Sequence, residues 1–451
     1  MAINRRLIFW LIRAYVQKWG KAILGFFVLG LLVFFLLQTF LISFITKITS
    51  ENKEVIGIDG TYTIDSLPLP ILQLVSRGLT YVTPDGLPHP DAASSWQITD
   101  NGKTYIFHIK PGITFSDGTP LTSKDVNYNF SDVQVSRPDT STIVYRLSEP
   151  YAPFLLSVST PIFKNDFIGI GAYTVRAVSQ NTGFIDSLTL VDRKNSGIQK
   201  VYQFYPTDDA LKLAFALGEV SIAQNVNNLN FQKSSLATFA NATITKSTDY
   251  QTLVTLFYNT TDKVLSDEGL RDALSYTMPD TFAEGVRAYS PLSPLSWAYQ
   301  NTNQHTQDFA HAKLLLEASF GTNPKEYPTL TISTLMKYMH IAKIVQANFA
   351  KIGIKSTIMV VNTVPSTFQV YLGDFQVPQD PDQYTLWHSY ADNNITNYNK
   401  DVRIDKLLED GRKTLDQSTR ASIYADFQKY LINAQPATFL YFPYLYTVTR
   451  K

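Results

Sequence analysis

The longest apolar run lies near the start of the chain. Ala22 to Ile45 reads AILGFFVLGLLVFFLLQTFLISFI, with only Gln38, Thr39 and Ser43 polar. As a helix this run would extend about 36 Å, enough to cross a hydrocarbon core of about 30 Å. Basic residues precede it, and "TKITSENK" after it offers no small-residue cleavage site of the kind a signal peptide carries. The pattern predicts an uncleaved signal anchor with its N-terminus in the cytoplasm and the rest of the chain outside. "RRLIFWLIRAYVQKW" is expected along the inner leaflet, with Trp10, Tyr15 and Trp19 near the headgroups.

Beyond residue 60 two shorter rhythms alternate. In "WQITDNGKTYIFHIK" Tyr105, Phe107 and Ile109 recur with period two, and Asn101-Gly102 predicts a type I′ hairpin turn. Thr122 and Asp125 are spaced as a capping box, and Val126, Phe130 and Val133 follow at helical spacing, so a helix is expected there. Asp117-Gly118 reads as a turn, and Asp117 and Asp125 are read as geometry, not as acid or base. Capped helical patterns cover 207–218, 266–278, 308–321 and 339–353, and two more lie in "VRIDKLLEDGRKTL" and "STRASIYADFQKYLINA". "IKSTIMVVN" and the aromatic "TFLYFPYLYTVTR" read as strands. Alternating strands and helices give an α/β class with mixed sheets.

The 451 residues suffice for two or three domains, and the absence of cysteine excludes disulfides, thiolate metal sites, cysteine nucleophiles and lipidation through cysteine. The first fifty residues carry six basic side chains and no acid, which leaves 33 basic against 38 acidic residues in the remainder. A mildly acidic body argues against a nucleic-acid partner.

Catalytic motifs are missing. The histidines at 89, 108, 305, 311, 340 and 388 have no zinc-site spacing, and there is neither a phosphate loop nor a G-x-S-x-G elbow. "GIGAY" (169–173) is read as a turn, not a dinucleotide fingerprint. "GDFQVPQDPDQYTLWHSY" (373–390) sets Asp374, Asp380 and Asp382 beside Tyr384 and Trp387. It reads either as a proline-bounded loop of Asx-turns or as a carboxylate-and-aromatic lip for a cationic or peptide-like ligand; a calcium loop fits less well. "PLSPLSWAY" (291–299) places Trp297 on a second candidate lip, where it is equally a core residue.

In their order along the chain, "WQITDNGKTYIFHIKPGITFSDGTPLTSKDVNYNF", "GIGAYTV", "LAFALGEVSIA", "YNTTDKVLSDEGLRDALSYTM", "PLSPLSWAY", "AHAKLLLEA", "DPDQYTLWHS" and the segment 403–443 resemble the extracellular solute-binding proteins, family 5, of ABC importers. The resemblance spans about residues 60 to 450. It implies an α/β, bilobed, periplasmic-binding-protein-like fold (class II, a hinged two-lobe trap) after one N-terminal transmembrane helix. The implied organisation is a cytoplasmic segment 1–21, an anchor 22–45, a linker 46–59, a first lobe 60–250 with a smaller subdomain at about 76–165, a second lobe 251–435, and a strand 436–451 returning to the first lobe. It also implies a peptide or peptide-like ligand, ABC permease subunits as partners, no cofactor and no catalysis. A sensory receptor, or a binder of a non-peptide solute such as a nickel complex, is the alternative. In peptide-binding members a carboxylate near the "DPD" segment pairs with the peptide's α-ammonium, which ranks Asp380 and Asp382, at an expected loop tip, above Asp374. Ser221 and Ala172 depart from residues common in the family, and the soluble part is short for it.

Two outcomes are expected of the anchor. Protease added to intact cells should degrade the body, and N-terminal sequencing of the purified protein should find no mature terminus near residues 47–55; such a terminus would refute an uncleaved anchor.

Overall fold

The computed structural model describes residues 9–10, 13–21, 24–27, 29–31, 33–34, 52–301, 306–321 and 327–451. The chain divides into two compact units, residues 1–53 with 195–199, and residues 54–194 with 200–451. In the first unit, residues 13–21 are helical and Trp10, Tyr15 and Trp19 are exposed. Among the described residues no helix is long and apolar enough to cross a membrane. Residues 22, 23, 28, 32 and 35–45, most of the expected anchor, lie outside the described residues.

The main sheet is mixed and has 12 strands among the described residues. Its order is Ser356–Val361, Leu330–Leu335, Val370–Gln376, Thr252–Tyr258, Ala437–Arg450, Ile222–Val226, Asn52–Asp59, Ile198–Tyr205, Phe184–Asp192 and Tyr173–Asn181, with Ala242–Thr248 and Gly285–Arg287 also paired to Ala437–Arg450. The 14-residue strand Ala437–Arg450 joins the two halves of this sheet. Its first part pairs with Thr252–Tyr258 (Leu256↔Thr438, Val254↔Tyr441), and its last part pairs with Ile222–Val226 and Ala242–Thr248 (Ile222↔Thr449, Thr248↔Tyr444). The changeover falls at Pro443, which has no N–H to give a ladder; its carbonyl accepts instead from Asp249 N–H at 2.8 Å.

Period-two alternation decides which face each residue covers. From Thr252–Tyr258, Val254, Leu256 and Tyr258 enter a cluster with Leu270, Leu274, Ile341 and Phe349 of the helices Glu268–Ser275 and Met339–Lys351. Leu253 and Phe257 enter another with Leu408, Tyr424 and Phe427 of the helices Val402–Lys413 and Gln417–Ala434. The other half of the sheet has its own clusters around Ile56, Ile58, Leu190 and Tyr202, and around Leu211, Phe215 and Val448. A separate antiparallel sheet, in the order Ala93–Thr99, Thr104–Ile109, Thr142–Leu147, Val133–Ser136, encloses Tyr105, Phe107, Tyr145 and Phe154.

The helix ends follow local chemistry. Thr207 accepts from Ala210 N–H at 3.2 Å to start Asp208–Leu217, and Gly218 closes it in the left-handed region at φ 86°. Asp267, Asp308, Asp401 and Asp416 cap four other helices in the same way.

Two local expectations are corrected. The hairpin turn is in its expected place but spans Asp100–Lys103, with Asp100, Asn101 and Gly102 all at positive φ, not two residues of type I′. No helix forms over 122–133. Thr122 N–H and Oγ1 do reach Asp125 Oδ2, at 2.8 and 2.6 Å, but they close only a turn. Arg137 then takes the carbonyls of Ser123 and Val126, acceptors that a continuing helix needs, at 2.7 and 2.8 Å. Val133 begins a strand. Asp117 does shape a turn. The hydroxyl and N–H of Thr119, with Lys164 beside them, hold its carboxyl down at about 2.

Arg271 is fully buried, has no carboxylate ion-pair partner among the described residues, and donates to the carbonyls of Leu265, Ala434 and Gln435 at 2.6–2.9 Å. It thereby satisfies the C-terminal end of Gln417–Ala434 just where the chain turns into the central strand. Arg271→Ala strands three buried acceptors. It is expected to lower the unfolding free energy by at least about 3 kcal/mol, read from the urea midpoint of the purified protein.

Candidate functional site

The crossover between the two halves of the main sheet opens a cavity of about 240 Å³. Its floor is the link Thr248–Gln251. One wall is the loop carrying Ser293, Leu295 and Ser296, a second is Val377–Gln379, and Pro84 closes the third. Val377 N–H donates to Gln251 O at 2.7 Å, tying one wall to the floor, and within the link Gln251 N–H donates to the Asp249 side chain, Oδ1, at 2.9 Å.

Pro84 arrives on a tight turn, Thr83–Leu87, that is pressed against the opposite wall. Trp297 N–H donates to Asp85 O at 3.1 Å. Gly86 sits at φ +90°, and a Cβ on it would stand 2.2 Å from Gln379 O, so no other residue fits without moving the turn. A second contact lies further along the seam, where Ala152 N–H donates to Arg412 O at 2.7 Å and the Arg412 guanidinium lies 5.4 Å from the Tyr151 ring centroid.

The six residues expected from the sequence fall into two groups. Asp380, Asp382, Tyr384 and Trp297 come together around two arginines. Asp380 is 6% exposed and takes Arg420 with both oxygens, at 2.7 and 3.1 Å. Its Oδ1 also accepts from Asp382 N–H at 2.9 Å. Asp382 binds Arg412 Nε at 2.8 Å and accepts from Tyr384 N–H at 3.0 Å. Arg412 lies 4.1 Å from the Tyr384 ring centroid, and Arg420 lies 5.3 Å from that of Trp297. At the expected loop tip both carboxylates are inside, in Asx-turns, and already ion-paired.

Asp374 and Trp387 lie elsewhere, on a second, mainly apolar cavity of about 140 Å³ with Phe257, Tyr371, Phe375 and Leu386. Asp374 is the fifth residue of the strand Val370–Gln376. It holds Lys337 Nζ at 2.7 Å and the Tyr338 hydroxyl at 2.5 Å. Burial and the neighbouring Asp374 push the Tyr338 hydroxyl far up, so it remains a proton donor. Trp387 is 3% exposed, stacked in the core, and gives its indole N–H to Gln383 Oε1 at 2.8 Å.

Sequence reasoning missed Arg412, Arg420, Gly86 and the link 248–251. No spacing rule couples Asp380 to Arg420 forty positions later; only the unusual density of polar residues in "EDGRKTLDQSTR" signals them. Among the described residues no group of His, Cys, Asp and Glu is placed to hold a metal.

Three comparisons bear on this geometry. Residues 88–397 match the family described as bacterial extracellular solute-binding proteins, family 5 Middle. The probable D,D-dipeptide-binding periplasmic protein DdpA of Escherichia coli (strain K12) is 22% identical over an alignment covering 78% of each chain. Among solved structures, NikZ from Campylobacter jejuni in complex with Ni(L-His) is similar with a TM-score of 0.74, 20% identity, and coverage of 89% of this chain and 94% of that one. AppA from Bacillus subtilis in complex with a nonapeptide gives a TM-score of 0.69 at 20% identity, covering 88% and 94%. These two likenesses establish a shared mixed α/β, two-lobed fold.

The Asp380–Arg420 pair is buried on both sides, so removing one partner leaves an uncompensated charge. Asp380→Ala is expected to cost about 3–5 kcal/mol of stability, while Asp380→Leu combined with Arg420→Met recovers most of it. Urea unfolding of the three proteins checks this; a double variant as weak as the single one would contradict it.

Proposed function

Because the chain belongs to the bacterial extracellular solute-binding proteins of family 5, we propose that it captures a peptide or peptide-like solute outside the cell and delivers it to the permease of an ABC importer. The observation that carries this reading is the cavity at the crossover, walled by the link Thr248–Gln251, by both neighbouring loops of the Thr252–Tyr258 half, and by the Thr83–Leu87 turn from the opposite side. A ligand there gains contacts to both sides only when they meet, so binding shifts the population toward the closed form. No covalent step is needed.

The first lobe is proposed as residues 60–250 with the smaller subdomain near 76–165, and the second as 251–435, with 436–451 returning to the first. The separate apolar clusters and the four-stranded sheet support these bounds. In this reading 22–45 anchors the protein in the membrane, with the body outside.

The loop 374–387 acts in two parts. Asp380 and Asp382 hold Arg420 and Arg412, which in turn set Trp297 and Tyr384 at the seam. They therefore position the wall and do not themselves meet an ammonium group. Asp374 and Trp387 shape the neighbouring apolar cavity, which would take a side chain of the ligand.

Native mass spectrometry of the protein as purified is expected to show a bound small solute. Adding that solute back to protein freed of it should lower the radius of gyration measured by small-angle X-ray scattering. A radius unchanged at saturation would sink the two-lobe trap.

A further inference from the structure

Where the helix Gln417–Ala434 gives way to the strand Ala437–Arg450, Ser275, Arg287, Gln435 and Thr438 line a cavity of about 20 Å³. It shares no lining residue with the two cavities above. Arg287 gives one terminal nitrogen, Nη1, to the carbonyls of Ala288, Phe439 and Leu440. Its Nε is buried and has no hydrogen-bond partner among the described residues. The same holds for Oε1 of Gln435, a residue only 5% exposed. Two polar groups without partners thus belong to one small space, although buried polar groups are as a rule hydrogen-bonded. The volume exceeds the ~10–15 Å³ that one water needs. It admits a water or a monatomic ion and is too small for a sulfate, a phosphate or a carboxylate.

Charge decides between those two occupants. Arg287 has no carboxylate ion-pair partner among the described residues; it meets carbonyl dipoles and the ring of Tyr289, whose centroid lies 4.3 Å away. Burial lowers its pKa to about 10, so it is charged at neutral pH. A second buried guanidinium, Arg271, donates to the carbonyls of Ala434 and Gln435. It answers the negative end of the helix, roughly half a charge, and leaves a positive surplus. A buried charge is ordinarily paired. Water would solvate Arg287 without neutralising it, whereas an anion does both. The Gln435 carboxamide permits this. Its Nε2 lies 3.4 Å from the Thr438 hydroxyl, which can donate or accept, and the Tyr258 hydroxyl, 2.8 Å from the same oxygen, can take the complementary role. A half-turn of the amide therefore keeps that contact and offers N–H to the cavity.

We infer that this cavity binds a monatomic anion, chloride in physiological media, held by Arg287 Nε–H and the Gln435 amide. The inference rests on the fold and is independent of the solute-binding reading. The anion also has a structural task. Val254 pairs with Tyr441 and Thr255 with Phe439, so Leu440 is the extra residue of a bulge, and Arg287 holds the carbonyls of Phe439 and Leu440. The anion ties that bulge to the end of Gln417–Ala434.

Thermal unfolding of the full chain in sodium chloride and in sodium gluconate, at equal ionic strength, tests the site. At about 0.3 M salt the midpoint is expected ~2–4 °C higher in chloride, with a gain that saturates. Gln435→Glu keeps the side chain's size and supplies Arg287 with a carboxylate, so its midpoint should be the same in both salts. No gain in wild type, or an equal gain in the variant, would overturn the inference. A second measurement stands even if the variant does not fold. Crystals of the full chain soaked in sodium bromide should show an anomalous peak within hydrogen-bond reach of Arg287 Nε. A water there with no anomalous signal overturns the anion site.

Discussion

One strand carries the mechanical logic of the body. Ala437–Arg450 is hydrogen-bonded at its start to Thr252–Tyr258 and at its end to Ile222–Val226 and Ala242–Thr248. Because each ladder fixes the strand it belongs to, relative movement of the two halves cannot be spread along their lengths. It is confined to the places where ladders change partner, near Pro443 and in the link Asp249–Gln251 that runs beside it. The register irregularity between Val254 and Thr255, where the strand leaves its first partner, falls in the same neighbourhood.

Asp380–Arg420, Asp382–Arg412 and Asp208–Lys212 are all largely buried. Such pairs add little net stability compared with apolar packing. Their service here is directional: a bidentate guanidinium fixes the orientation of both the loop and the helix it joins. Arg420 thus links the start of Gln417–Ala434 to the 380 loop and to the ring of Trp297, three segments distant in sequence.

The parts of the fold legible in the sequence are those decided within a few residues. The helices starting after Thr207, Asp267, Asp308, Asp401 and Asp416 have their caps written beside them. The alternation of Tyr105, Phe107 and Ile109 marks the buried face of their strand. The failure at 122–133 has the opposite cause. Thr122 N–H does reach the Asp125 carboxylate, but the carbonyls of Ser123 and Val126 that would extend a helix are claimed by Arg137, which follows the strand Val133–Ser136. The site divides along the same line. A dense polar loop at 374–387 was visible, yet which carboxylates remain free was not, because Arg412, Arg420 and Lys337 reach them through tertiary structure. Trp387, attractive as a ligand contact in one dimension, is packed on Phe257 and Phe375 in three.

The position of the central strand in the chain also has a consequence for biogenesis. Every strand that pairs with Ala437–Arg450 is made by the ribosome before it. Until its last residues emerge, Thr252–Tyr258 and Ile222–Val226 each present an open edge where their shared neighbour belongs, and the large sheet cannot close. At a synthesis rate of about 5–20 residues per second, this nascent chain spends many seconds without its keystone. A polypeptide that must be threaded across a bilayer before it folds is served by that delay, since the topology itself defers completion of the native sheet until Ala437–Arg450 has been made.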